Sequence, residues 1–414
     1  MLVHLKRLFG FSLIPAFSLL ASIVLLPLVS GQHGAHGVVA LAVGQSVGAI
    51  LSVMASLAWP VVGGHAVAVA DDAERRRLFV MSVYSRLVVL LVLLPFGIAV
   101  CLVLVSDYRL ATCFFMTGIA CNGMTMGWFY SGLGEPRKLV LHEGVVRLVG
   151  YAVAALALTR GAPLVTYAAI TTLAALTSLG LNWLHVIGWK TGHVRQLFGQ
   201  AWTTIVEHRA GTMSRVLQAG FFYGGPTIFA SLTPGSVSVY AAMDQMQKAT
   251  ANAAGVFPQS LVSFVSGESE HRWRRGHLAF AGTSAAGLVV VVAWAAVGPE
   301  IVNFLFSGEV DITRWGATLI GLSVAVAMMA KTYESLVLVP MGLAKSVFRA
   351  DSAFAVLGIA VLALASTTGS ANLTMASWTL VNLALLVFVA WVARRHGRRT
   401  HDDGEQAIAT RGLR

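Results

Sequence analysis

The chain has 414 residues, of which 57% are hydrophobic and only 11% charged, and its mean hydropathy is +0.75. A soluble domain carries about 25% charged residues, so this chain has too little polar surface to face water and belongs in a bilayer. The formal net charge of +11 lies in short Lys/Arg runs between apolar segments, a pattern of topology control that argues against a phosphate-tracking groove and a nucleic-acid partner.

Windows of about 20 apolar residues predict twelve spans. The first half holds 8–29, 38–62, 78–105, 110–132, 144–159 and 164–188. The second half holds 211–233, 237–265, 277–306, 315–341, 347–368 and 372–393. The first stretch follows Lys6 and Arg7 but outruns a signal-peptide core and lacks a clear cleavage site, so it is read as a retained span. Cys101, Cys113 and Cys121 fall inside apolar segments, are odd in number and lack metal-ligand spacing, so no disulfide framework or metal site is expected.

The connections alternate in charge. One side carries Lys6/Arg7, Arg75 to Arg77, Arg137/Lys138, Lys190/Arg195/Arg209, Arg272/Arg274/Arg275, Lys345/Arg349 and an Arg-rich tail, while the other carries only Arg109, Arg160 and Arg314. The positive-inside rule then puts both termini in the cytoplasm. The domains expected are a six-helix lobe over 1–188, a cytoplasmic linker over 189–210, a second six-helix lobe over 211–393 and a basic cytoplasmic tail without fixed structure over 394–414.

The halves also look like copies. A gapless register pairs Gly37 with Gly235, Trp59 with Phe257 and Pro60 with Pro258. A second pairs Gly134 with Gly342, Arg137 with Lys345 and Glu143 with Asp351. Six spans per half keep the repeats in one orientation, related by an axis along the membrane normal. The fold class expected is an all-α membrane protein whose two lobes face each other across a central cavity.

Two segments resemble a known family. "GWFYSGLGEPRKLVLHEGVVRLVGYAVAAL" (127–156) has an aromatic pair, a small-residue turn, a basic patch and an Arg in the next span. "GSVSVYAAMDQMQKATANAAGVFPQSLVSFVSG" (235–267) has a Gly, a Tyr soon after, small and charged residues, then a Pro. Both are similar to the fourth-to-fifth and eighth spans of polysaccharide-repeat-unit flippases (O-antigen and exopolysaccharide), a family of the multidrug/oligosaccharidyl-lipid/polysaccharide exporter superfamily. The resemblance implies a MATE-like flippase of the bacterial cytoplasmic membrane that moves undecaprenyl-pyrophosphate-linked oligosaccharide by alternating access. It also implies a polysaccharide polymerase and a chain-length regulator as partners, and no cofactor. In the family a basic residue often follows the acidic position of the eighth span directly, whereas here Gln245 follows Asp244 and the base comes a turn later, at Lys248.

A charge at the bilayer centre costs roughly 2.5–3.5 kcal/mol on insertion scales, so the few ionised groups inside the spans are the candidate site. Lys248 lies near mid-span, one turn from Asp244. It is either a cation for pyrophosphate or an acidic sugar, or half of a pair that satisfies two buried charges. Arg86 lies two turns inside the third span as a candidate cavity residue. Arg147 and Arg215 sit about one turn inside the fifth and seventh spans, where snorkelling to the headgroups competes with substrate binding. Lys331 and Glu334 are spaced to pair in the tenth span, with ion or proton coupling as the sharper reading. Gly224, Gly225 and Pro226, together with Pro60 and Pro258, are the expected helix breaks or hinges.

No nucleotide-binding loop, metal cluster or nucleophile elbow is present in the sequence, and an enzyme is not expected. Two other functions compete. The first is a multidrug or small-metabolite exporter of the same superfamily; a cation exporter should place an unpaired carboxylate in the first lobe, and spans one to six lack one at mid-depth. A membrane glycosyltransferase or polysaccharide polymerase usually needs a large extramembrane loop, whereas the longest here is about 22 residues, from Trp189.

Overall fold

A computed structural model describes residues 2–188, 194–255, 261 and 272–411. It is 90% helical, with no strands among the described residues. That is what a bilayer demands, since a backbone amide in hydrocarbon must find its partner within the same element.

Among the described residues, eight helices are long and apolar enough to cross a membrane. Dividing the first at Gly34 and adding the broken or polar fourth, seventh and eighth elements matches the twelve predicted spans. The first helical run, Leu2–Ser56, is two spans joined at Gly34, whose φ of 61° breaks the helix. The fourth span is broken into Arg109–Ala120, a tight turn Cys121–Met124 and Gly127–Leu133. The seventh is broken at Gly224, between Val194–Tyr223 and Gly225–Leu232. The eighth, Val237–Ala254, is made polar by Asp244, Gln245, Gln247 and Lys248. The remaining spans are the third (Asp72–Leu104), fifth (Pro136–Thr159), sixth (Leu164–Val186), ninth (Arg272–Leu305), tenth (Arg314–Tyr333), eleventh (Ala344–Ser366) and twelfth (Ala371–Arg411). The twelfth helix continues to Arg411, where the sequence predicts a tail without fixed structure. The fifth begins at Pro136, eight residues before the predicted start at 144.

The expected breaks have local causes. The first helix of the seventh span ends at Tyr223 although Gly224 keeps right-handed helical φ/ψ, and Pro226 stands in the first turn of the next helix, where a missing N–H costs nothing. Leu57 has φ 51°, and Pro60 likewise opens the short helix Trp59–Val69 that prolongs the second span. Pro258 lies outside the described residues. Gly134 and Gly342, paired by the repeat, both adopt left-handed φ, 71° and 79°, at the turns before the fifth and eleventh spans. A side chain there would be strained, so both copies keep glycine.

The two lobes touch at several levels. Near one end, Ser30 Oγ donates to the Phe306 carbonyl at 2.5 Å and Ser307 Oγ to the Pro27 carbonyl at 3.1 Å. Midway, Ser46 Oγ donates to the Tyr223 carbonyl at 2.5 Å, and Gln245 Nε2 to Gln45 Oε1 at 3.2 Å. Toward the other end, Arg215 donates to the Leu57 carbonyl and, at 3.2 Å, to Ser56 Oγ.

Candidate functional site: a cavity between the lobes

A cavity of about 500 Å³ opens between these contacts, lined by residues of both lobes. The first lobe contributes Gln45 and Ser52 from the second span, Asn122 from the fourth, Arg147 and Tyr151 from the fifth, and Tyr167 and Thr171 from the sixth. The second lobe contributes Tyr223 from the seventh span and Asp244, Gln245, Lys248 and Asn252 from the eighth. The size suits a small-molecule site. Amides, hydroxyls and tyrosine rings dominate its polar wall.

Two cations line it, one from each lobe. Lys248 Nζ lies 2.5 Å from Asp244 Oδ2 and 5.4 Å from the centroid of the Tyr223 ring. Its side chain is 18% exposed and that of Asp244 only 5%. From the opposite lobe, Arg147 reaches Glu143 at only 3.6 Å, Nη2 to Oε2. That is long beside the 2.7–2.9 Å of a charge-assisted hydrogen bond, and Arg147 Nε, though buried, has no partner. The lining therefore holds two cations, Lys248 tightly paired with Asp244 and Arg147 only loosely paired with Glu143, with an Arg147 donor unused.

No protein-family model matches the chain, and no curated protein sequence does either. Solved structures do match. The inward-facing conformation of a multidrug resistance MATE family transporter of the MOP superfamily aligns with a TM-score of 0.57 over 92% of this chain and 93% of that one, at 11% identity. The eukaryotic MATE transporter AtDTX14 aligns with a TM-score of 0.54 over 95% of this chain and 96% of that one, at 12% identity. The fold is that of the MATE transporters. MATE transporters have about 12 helices in two lobes, and the cavity is lined by spans from both halves of this chain.

Within this MATE-like frame the other predicted residues part company. Arg86 does not reach the cavity. It is 0% exposed, and its guanidinium donates to the carbonyls of Ser82 (3.0 Å), Gly123 (3.1 Å) and Thr125 (2.9 Å), and to Ser82 Oγ (2.5 Å). It also approaches Met126 Sδ at 3.2 Å. The break in the fourth span frees the carbonyls of Gly123 and Thr125, and Arg86 satisfies them. Arg215 turns to the second span instead of snorkelling, and lines a second cavity of about 300 Å³ inside the other lobe. Lys331 and Asp351 line that second cavity too. Lys331 Nζ bridges Glu334 Oε2 at 2.8 Å and Asp351 Oδ2 at 3.0 Å. Two carboxylates thus share one ammonium, and Glu334 Oε1 and Asp351 Oδ1 are buried without partners.

Sequence reasoning left out of the candidate site the polar lining residues Gln45, Ser52, Asn122, Gln245 and Asn252, and also Glu143, Asn182 and Asp351. Glu143 is 3% exposed and sits in a wide turn, Val140–Val145, inside the fifth helix. Such π turns insert an extra residue and often mark functional positions. The signal available for it was the repeat itself, which pairs Glu143 with Asp351. Among the described residues no cluster of His, Cys, Asp or Glu is placed to hold a metal.

Proposed function

We propose that this protein is a flippase for lipid-linked oligosaccharide, moving undecaprenyl-pyrophosphate-linked polysaccharide repeat units across the bacterial cytoplasmic membrane by alternating access. The observation that carries the reading is the pair of cations, Arg147 and Lys248, one from each lobe, on the wall of one cavity. A pyrophosphate offers several oxygens to be shared between an Arg fork and a Lys point charge. The amides of Gln45, Asn122, Gln245 and Asn252 and the rings of Tyr151, Tyr167 and Tyr223 supply the hydrogen bonds and flat faces that sugars take. About 500 Å³ accommodates the head group and its first sugars, leaving the polyprenyl chain to the lipid. Binding to both cations draws the lobes together, and rocking about the cavity exchanges its opening. In this reading both termini are cytoplasmic, the Lys331–Glu334 pair is the candidate for ion coupling, and a polymerase with its chain-length regulator takes the product.

Deleting the gene should leave lipid-linked oligosaccharide assembled but confined to the cytoplasmic leaflet, and re-expression should release it. A deletion strain lacking one sugar linkage would instead indicate a transferase. The second cavity favours one further reading, an exporter of amphiphilic compounds, because Phe221, Phe222, Phe354 and Trp378 line it beside Asp351. Unchanged surface glycan with altered drug sensitivity in the deletion strain would select the exporter.

A further inference from the structure

We propose that Glu143 couples anion binding at Arg147 to the uptake of a proton. Glu143 acts here as a positioning residue for Arg147, and the inference rests on the reading of Arg147 as a ligand-binding cation.

The geometry around Glu143 is lopsided. Oε1 accepts from the Met126 backbone N–H at 2.7 Å and from Asn182 Nδ2 at 3.3 Å. Oε2 has only the loose 3.6 Å contact to Arg147 Nη2. Asn182 is held in the orientation that presents its amide protons to Glu143, because its Oδ1 accepts from the Tyr130 hydroxyl at 2.8 Å. Tyr130 in turn lies 3.0 Å from His142 Nδ1. One arm of the carboxylate is thus locked and the other is free to change partner. A void of about 10 Å³, lined by Asn122, Thr125, Glu143, Arg147, Ser178 and Asn182, shares Asn122 and Arg147 with the main cavity. That is about the room one water needs, with polar partners around it.

The charges that face Glu143 set the sign. Arg147 and His142 share its own helix. Arg86 faces it from the third span, already committed to carbonyls, and Tyr130 from the fourth. Asn182 and His185 stand on the sixth, the His185 ring 4.9 Å from that of His142 and tilted 57° to it. Glu135 and Lys138, on the turn before, pair with each other at 2.8 Å. The second span has no titratable group between Gly37 and Ser56. Without ligand, Arg147 and Arg86 are the cations that face Glu143. An anion on Arg147 draws the guanidinium away and sets a like charge beside Glu143, and both changes favour the neutral carboxyl. Water supplies the proton, which binds Oε2, and Arg147 keeps its own charge throughout. By linkage, a proton on Glu143 strengthens anion binding by the same factor, so affinity rises as pH falls.

Calorimetric titration of the full-length protein with inorganic pyrophosphate, in two buffers of different ionisation heat, counts the protons taken up. The ligand's own protons contribute equally in wild type and in Glu143→Gln, so the difference reports Glu143. Wild type should take up about one proton more per pyrophosphate than Glu143→Gln, with a pH dependence steeper by up to tenfold in affinity per pH unit. Glu143→Asp should retain the uptake. Equal uptake in wild type and Glu143→Gln overturns the proposal, as does failure of wild type to bind pyrophosphate. Where Glu143→Gln does not fold, infrared difference spectra of wild type decide. A protonated-carboxyl band appearing with pyrophosphate supports the proposal, and its absence overturns it. Proton-linked pyrophosphate binding without flipping of lipid-linked glycan would sink the flippase reading and leave this inference standing. Flipping without the extra proton would do the reverse.

Discussion

Replacing Lys248 with Ala strands Asp244. The Asp244 side chain is 5% exposed, and its one ion-pair partner is Lys248, at 2.5 Å. Breaking a buried pair by removing one member costs about 3–5 kcal/mol. The Lys248 side chain is 18% exposed toward the cavity, so water reaches the site and the lower figure applies. About 3 kcal/mol is roughly a 150-fold loss in the folded-to-unfolded ratio. The double change Asp244→Asn with Lys248→Gln removes both charges at nearly constant shape, and should return stability to within about 1 kcal/mol of wild type. Reversible unfolding in detergent, read by circular dichroism, measures both numbers. Complementation of a deletion strain then separates structure from binding. The double variant should be stable, reach normal protein levels and still fail to release lipid-linked oligosaccharide, because the cavity has lost one of its two cations. Full complementation would refute the assignment of Lys248 to the ligand. Wild-type stability of Lys248→Ala alone would refute the reasoning about the buried pair.

Two further outcomes test the frame around the site. Arg86→Met should cost about 3–5 kcal/mol and lower protein levels, because it orphans the carbonyls of Gly123 and Thr125 as well as removing a buried charge; Arg86→Lys, with one nitrogen in place of a fork, should not rescue it, and unfolding in detergent checks both. Single cysteines at Gly34 and Ser370, in a background lacking the native three, should react in intact cells with a membrane-impermeant thiol reagent, whereas one at Glu74 should not; labelling at Glu74 would overturn cytoplasmic termini.

The spans were legible because each is about as long as a bilayer is thick, and because charge alternates across them. The interruptions were only partly legible. Gly224, Gly225 and Pro226 announce themselves by backbone chemistry, and the helix does end at Tyr223. The break in the fourth span has no such signature, since "CNGMTMG" holds no proline. Without it, nothing said that carbonyls would be waiting for Arg86. Depth alone told that Arg86 must point inward but not at what. Glu143 was hidden by its neighbours. Arg137 and Lys138 look like a loop, so the fifth span was predicted to begin at 144, whereas its helix starts at Pro136. That shift buries Glu143 and carries Arg147 from the headgroups to the cavity wall. Lys248 and Asp244 were placed correctly on one face because an i,i+4 spacing in a helix leaves little choice.

The repeat adds a constraint that neither lobe shows alone. Gly134 and Gly342 turn the chain the same left-handed way, and nine residues later each copy buries an acid, Glu143 or Asp351. What satisfies the acid differs. In the first lobe the nearest cation, Arg147, is on the same helix and extends into the cavity between the lobes. In the second it is Lys331, from the tenth span, which Asp351 must share with Glu334. Around the first acid stand Arg86 and Arg147, leaving positive charge over; around the second, two carboxylates share one ammonium, leaving negative charge over. A buried charge imbalance is costly, and the two imbalances have opposite signs in opposite lobes. The position of the acid is therefore common to both repeats, while its partner is what has diverged. The divergence puts Arg147 on the wall between the lobes, where an anion bridging Arg147 and Lys248 would meet a cation from each.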